Sequence, residues 1–574
     1  MRKIIGVFLI CIVMVSCANE NTNDTTEDVI NVRIDKDPGR LFPMFANNVV
    51  SRDVYSYVHL QLTGFSPKTL QLEPNLIKKV PEPVEVREGL YEGGFYYEVE
   101  FLEDAVWSDG SPIDGEDYLF TLKSVLHPDV NVPNWKNYVS GISFAEVDEK
   151  NNKIVRIYFK EPVVDALIIA TGIEVFPEHI YDPNGALSDI PIENFMNKTL
   201  DDFVVNDSFA AFAKSFNDTR FHADVSSGSG PYRIADVETD QFVRLERKKN
   251  WWGTAYPDRL FLQANPKTII FTIIPDEVTA MTQLKAGAID VMTFASGENF
   301  KQLQSEDTAL NFATPEIPAY YFISMNNRSP KLADKNVRKA LSYLIDVDEF
   351  IDQYEYGQGK RTIGPILPYR DEYNSTIAPM SSDKVKALEL LENAGWSDTN
   401  NNGILDKELL GQLNELSLDM YVSKAALGQR LALLLTENGK EIGIEINTIQ
   451  KANNAIRKEN IATGNYDLYP MREGTHFGEY DPYGTWHSDN AKPGGNNYTY
   501  YSNPEADEVI EELQEELDEN KRDELYFELQ EIIFNDQPAI FLYSPVAKIA
   551  SSNRITILTS VQRPGYFLQE ATVN

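Results

Sequence analysis

The side chains best suited to hold a metal ion or a polar solute gather between Tyr466 and Asp489. There His476-x-x-Glu479-x-Asp481, with His487 close behind, offers imidazole and carboxylate ligands of the kind nickel or zinc takes. Histidines in loops serve more often as polar surface, and the chain has six in all. A second constellation, Asp398-x-Asn400-x-Asn402-Gly403, matches the first half of a calcium-binding loop. Leu409 stands where the bidentate glutamate belongs, so a structural calcium would draw on Asp398, Asn400, Asn402 and Asp406. Without an ion the same segment is a hydrogen-bonded turn. Covalent chemistry is poorly equipped. The chain has no His-Glu-x-x-His pair, Walker loop or Gly-x-Ser-x-Gly elbow. Arg361 follows Gln358-Gly359-Lys360 where a Walker loop needs Ser or Thr. Ser227 takes the place of the first elbow glycine, leaving Gly228 and Gly230 as backbone glycines of a tight turn. No catalytic residue is expected.

The N-terminus reads as an address. Met1-Arg2-Lys3 is basic, and Ile4 to Val15 is an apolar run too short to span a bilayer. Ser16 then precedes Cys17, which is similar to a bacterial lipoprotein signal: residues 1–16 are removed and Cys17 is acylated. The other cysteine, Cys11, lies inside the removed segment, so the body has no thiol for disulfides, catalysis or metal binding. Residues 17–28 are polar and acidic and read as a tether. The body is therefore expected outside the cytoplasm, membrane-anchored by lipid.

Composition narrows the classes further. The 574 residues carry 52 Lys and Arg against 88 Asp and Glu, a net charge of −36. An excess of acid without basic clusters argues against a nucleic-acid partner. At roughly 150 residues per domain, three to four domains are expected. Short strands alternate with amphipathic helices, so the fold class is α/β (mixed α+β). Asp114 reads as the N-cap of a helix with Tyr118, Leu122, Val125 and Leu126 on one face, preceded by a turn at Trp107-Ser108-Asp109-Gly110. Asp334 and Asp383 cap two more helices, the second burying Val385, Leu388 and Leu391 and stopping at Gly395. Asn503-Pro504 opens another. Ala539 to Phe567 returns to strand-rich sequence.

These landmarks, in this order, resemble the extracellular solute-binding proteins of family 5, the peptide-binding subunits of ABC importers. The resemblance rests on Phe101 to Leu126, Gly228-Ser229-Gly230-Pro231-Tyr232 and Asn250-Trp251-Trp252-Gly253. It continues through Leu284 to Asp290, Asn326, Val337 to Leu341, Ala387 to Trp396, Asp481-Pro482 and Gln537 to Ile540. It implies a periplasmic-binding-protein-like two-lobe clamshell with an additional inserted domain. Lobe I would take residues 29–64, 190–318 and 541–574, the inserted domain 65–189 and lobe II 319–540, with hinge crossings near Ala319-Tyr320 and Phe541.

The resemblance also implies where a ligand sits. Phe45 and Asn47 fall in the family's first ligand-contacting loop, and Tyr320 and Tyr321 lie at the hinge. Gly474, Thr475, His476, Glu479, Asp481 and Trp486 follow a strand whose amides take an extended peptide. Gly478 stands where peptide-binding members carry an aspartate for the ligand's α-amine, leaving Glu479 or Asp481 as substitutes. The implied function is capture of peptides for an ABC permease, as a monomer without catalysis or a required cofactor. Alternatives are a carrier of nickel, haem or an oligosaccharide on the same fold, a receptor that does not transport, and a hydrolase.

Overall fold

The structure is a computed structural model and describes residues 28–161, 163, 165–196, 207–218, 228–475, 477, 480–516 and 518–574. Its first large sheet has seven strands. Their spatial order is Leu310–Ala313, Lys548–Ser552, Val291–Phe294, Val29–Ile34, Thr268–Ile273, Phe242–Arg247 and Tyr232–Glu238. The central strand Val29–Ile34 runs parallel to Thr268–Ile273 and buries Ile30, Val32 and Ile34. Asp290 ties three distant segments together. It accepts from the Asn31 amide at 2.8 Å and from the Arg554 guanidinium at 3.0 and 2.5 Å.

The second large sheet has six strands, in the order Gly359–Arg361, Ala539–Pro545, Ala319–Met325, Leu468–Gly474, Ser417–Val422 and Glu445–Gln450. Ala319–Met325 lies at its centre, antiparallel to both neighbours. The helices Lys335–Ser342, Lys384–Asn393 and Pro504–Glu515 start at the anticipated caps, Asp334, Asp383 and Asn503. In Lys384–Asn393 the buried residues are Ala387 and Leu391, and Val385 is 70 % exposed, contrary to expectation. A position two residues inside the cap points away from the Leu391 face.

A four-stranded sheet, Pro83–Glu85, Phe95–Glu100, Asn151–Phe159 and Phe144–Asp148, forms a third unit. The helix Gly115–Leu126 covers it, closed at its start by a capping box between Asp114 and Asp117. Asp117 also accepts from the Trp107 indole at 2.9 Å, so cap and core are fixed together. Phe195, Phe209, Phe212 and Phe216, from the helices Ile192–Met196 and Asp207–Phe216, complete this core along with Phe42, Met44 and Phe45. The boundary expected at residue 189 is therefore too early, because the aromatic face of Asp207–Phe216 finds its apolar partner in the inserted unit.

The chain passes between the two large sheets twice among the described residues, at 314–318 and at 545–547. The crossings are hydrogen-bonded to each other: Ile317 N–H donates to Pro545 O at 2.7 Å and Ala547 N–H to Pro315 O at 2.8 Å. The second crossing comes later than expected at Phe541. Residues 541–545 stay in the six-stranded ladder until Pro545, which has no N–H to continue it.

Arg338 locks the second lobe from within. Its guanidinium donates to the carbonyls of Leu332, Ala333, Asp536 and Gln537 at 2.8–3.1 Å. Arg338→Leu strands those acceptors, and the expected loss is about 3 kcal/mol. The urea unfolding midpoint checks it; an unchanged midpoint contradicts the locking role.

The inter-lobe cleft as the candidate functional site

The hinge leaves a cleft between the sheets, with a cavity of about 670 Å³. One wall belongs to the first lobe. Strands Val29–Ile34 and Val291–Phe294 end there, presenting Ile34, Asp35, Phe294 and Ala295. Ligands of α/β folds commonly sit at such carboxyl ends. Asp53 comes from the helix Val49–Tyr55, and Lys548 and Arg563 come from the C-terminal return. The opposite wall belongs to the second lobe: Tyr321, Glu355, Leu427, Arg472, Gly474 and Tyr543.

Two smaller cavities extend the cleft. One, of about 230 Å³, lies between the first lobe and the inserted unit and shares Asp53, Phe477, Arg563 and Pro564 with the main cavity. The other, of about 290 Å³, is lined by Tyr369, Arg370, Phe477, Arg522 and Tyr526. Phe477 thus borders all three, and its ring lies 5.9 Å from that of Phe65 across the cleft.

The cleft's charges are only partly neutralised by one another. Arg563 makes two bonds to Asp53, at 3.1 and 2.9 Å. Burial raises the Asp53 carboxyl above its ordinary range, and Arg563 opposes that rise. Burial lowers the Lys548 ammonium, with Glu355 and Glu277 pulling the other way. Burial raises the Tyr321 phenol, opposed by the nearby Arg472 guanidinium.

The sequence-derived site residues divide sharply. Tyr321 and Gly474 line the main cavity. Thr475 sits where the strand meets the hinge, its N–H donating to Pro318 O at 2.8 Å. Tyr320 is 1 % exposed and packs with Phe322 inside the second lobe, because successive strand residues face opposite sides. Trp486 is 2 % exposed and stacks near Phe541, at 5.7 Å, so it is core and not a pocket wall. Phe45 is 9 % exposed and packs between Phe42 and Phe216 in the inserted unit. Asn47 is exposed beside Asn48 and lines none of the three cavities. Asp481 is exposed just ahead of the short helix Tyr483–Trp486 and accepts from Tyr483 N–H at 2.8 Å. His476, Glu479 and Cys17 lie outside the described residues.

Of the two metal-like constellations, the first is described only at Asp481 and His487, and the second forms a hydrogen-bonded loop. His487 is buried against the Tyr483 ring, with Nε2 3.3 Å from the Glu511 carboxylate. In the calcium-like loop, Asp398 and Asn400 accept from the Asn402 and Gly403 amides, Asn402 accepts from the Ile404 amide, and Asp406 turns to Thr399. Among the described residues no group of three or more His, Cys, Asp or Glu side chains is placed to hold a metal ion.

The cleft's charged lining was not legible in sequence. Asp53, Glu355, Arg472, Lys548 and Arg563 come from segments scattered from one end of the chain to the other, and no spacing rule links them. Phe477 stood in the singled-out segment, but nothing in its type separated it from the core aromatics around it.

Comparison with known proteins agrees with this geometry. The profile of the bacterial extracellular solute-binding proteins, family 5 Middle, matches residues 86–497. The chain belongs to this family. This family-5 protein is 25 % identical over 514 residues to the oligopeptide-binding protein AppA of Bacillus subtilis, covering 88 % of this chain and 83 % of that one. Its fold is similar to the structure of B. subtilis AppA in complex with a nonapeptide, with a TM-score of 0.60 at 22 % identity, covering 95 % of this chain and 99 % of the other. It is likewise similar to the oligopeptide binding protein of Thermus thermophilus complexed with a pentapeptide, with a TM-score of 0.60 at 17 % identity, covering 95 % and 96 %. The fold is thus the two-lobe clamshell of this family. No helix among the described residues is long and apolar enough to cross a membrane.

Neighbouring tyrosines give a direct test of which face is cleft. Tyr320→Ala empties a core position and is expected to cost about 3–5 kcal/mol in a denaturant titration. Tyr321→Ala is expected to cost less than half as much and to weaken ligand binding instead. The reverse pattern contradicts the assignment of faces.

Proposed function

We propose that this protein captures peptides in the inter-lobe cleft and delivers them to an ABC importer, anchored outside the cytoplasm by lipid on Cys17. The family membership and the peptide complexes of its relatives support a peptide ligand. The observation that carries it is an open strand edge. Leu468–Gly474 pairs along one side with Ala319–Met325, residue for residue. On its other side it pairs with Ser417–Val422 only at Leu468. Arg472 and Gly474, beyond that point, line the cavity. An unpaired edge attracts another strand, and an extended peptide supplies one without regard to its side chains.

The mechanism is conformational. A peptide enters between the lobes, the crossings at 314–318 and 545–547 bend, and closure excludes water. Inside, lower polarity strengthens the peptide's hydrogen bonds and its pairing with Arg472, Lys548 and Glu355. The closed form is what the permease would recognise. No bond in the ligand is made or broken.

Two measurements test the function. Mass spectrometry of material that co-purifies with the protein is expected to find short peptides; nickel, haem or an oligosaccharide in their place overturns the reading. Methylating the central backbone nitrogens of a bound peptide removes donors without altering side chains. Each bond lost is expected to weaken binding about fivefold, as read by calorimetry. Equal affinity for the methylated and parent peptides contradicts strand addition.

A further inference from the structure

The cavity of about 230 Å³ between the first lobe and the inserted unit has a chemistry unlike the main cleft. Its walls include the rings of Phe65, Phe261, Phe477 and Phe567, with Phe261 and Phe567 edge to face at 6.1 Å. Glu174 lines the same cavity, 5 % exposed and held in place by a main-chain bridge to Gln61. Among the described residues Glu174 has no ion pair within 4 Å; the Gln61 side chain hydrogen-bonds its carboxyl, and Arg52 attracts it from farther away. Gln569 also lines this space; it is 2 % exposed, and its Oε1 is buried without a donor. An unsatisfied buried acceptor is costly, and a buried carboxylate without an ion pair more so. Aromatic faces together with acceptors of this kind suit an organic cation.

We propose that this cavity is a subsite for an ammonium group carried by the ligand, held by the Glu174 carboxylate and the Gln569 carbonyl between phenylalanine rings. It rests on the peptide-binding function, and adds that the protein prefers peptides bearing a positive charge at one position. The charge is supplied by a lysine side chain or by the α-amine. The other charged groups leave this role to Glu174. Asp53 is already bonded to Arg563. Arg52 lines the same cavity from an exposed helix position; it attracts the Glu174 carboxylate but makes no ion pair with it. His59 contributes its ring to the Phe42 and Phe176 cluster, and the phenols of Tyr55 and Tyr138 face the carboxyl. Continuity with the main cavity through Asp53, Phe477 and Pro564 lets one ligand reach both.

Burial holds the Glu174 carboxyl high, at about 7, well above the ordinary 4.5. An ammonium needs the charged carboxylate, so its binding strengthens as pH rises through that value.

Calorimetry of the full chain with alanine tetrapeptides tests this. One position at a time carries lysine or norleucine, each with a free or an N-acetylated terminus. Norleucine peptides report peptide binding itself, and the lysine-to-norleucine ratio reports the subsite. At one position lysine is expected to bind about tenfold more tightly at pH 8. The preference shrinks at pH 6 and disappears in Glu174→Gln, while N-acetylated norleucine peptides, which carry no cation, still bind. If the α-amine is the cation, acetylation of norleucine peptides costs the same factor, again only with Glu174 present. Gln569→Met, which keeps the carboxylate, lowers the preference in part. Norleucine peptides that bind with no charge preference removable by Glu174→Gln overturn the subsite alone. Failure of every peptide to bind overturns both the subsite and the peptide-binding function.

Discussion

Two backbone hydrogen bonds between the crossing segments govern how this molecule can work. Ile317 to Pro545 and Ala547 to Pro315 join the only described passages between the large sheets. Because the crossings bond to each other, they form one narrow ribbon. Prolines at 315, 318 and 545 restrict its backbone further. The strands of the two large sheets end at the ribbon, and among the described residues no strand pair joins one sheet to the other, so the lobes can swing without breaking either sheet. The cleft is the space this constraint leaves, and its two walls come from lobes with separate sheets.

The cleft's chemistry contrasts with the surface. The whole chain carries a charge of −36, yet the main cavity brings together Arg472, Lys548 and Arg563 with Asp35, Asp53 and Glu355. A balanced set of charges suits a zwitterionic guest, since each end finds an opposite partner once water is excluded. Aromatic walls and an open strand edge supply the part of recognition that ignores sequence. Charge would then set selectivity, and the main chain would set affinity.

Much of the fold was legible in sequence for local reasons. Asp114, Asp334, Asp383 and Asn503 each cap the anticipated helix, because a short acceptor followed by an apolar period is a local signal. The two-lobe plan followed from family landmarks spread along the chain. The site was legible only in part. Alternation shows that Tyr320 and Tyr321 face opposite ways, but not which faces the cleft. Phe45 and Trp486 sit near the right place in sequence, yet their rings are better buried in cores than held at a wet wall. Asp53 and Arg563 meet across 510 positions, a pairing no spacing rule reveals.

The most direct test is the distance between the lobes. In a Cys11→Ser, Cys17→Ser chain, which holds no other cysteine, Val278→Cys and Leu433→Cys place spin labels on exposed sites of opposite lobes. Pulsed electron resonance then compares the free protein with the protein saturated by peptide. Hinged capture predicts that peptide shifts the distances to one shorter, narrower population. The same distribution with and without bound peptide would contradict the clamshell account.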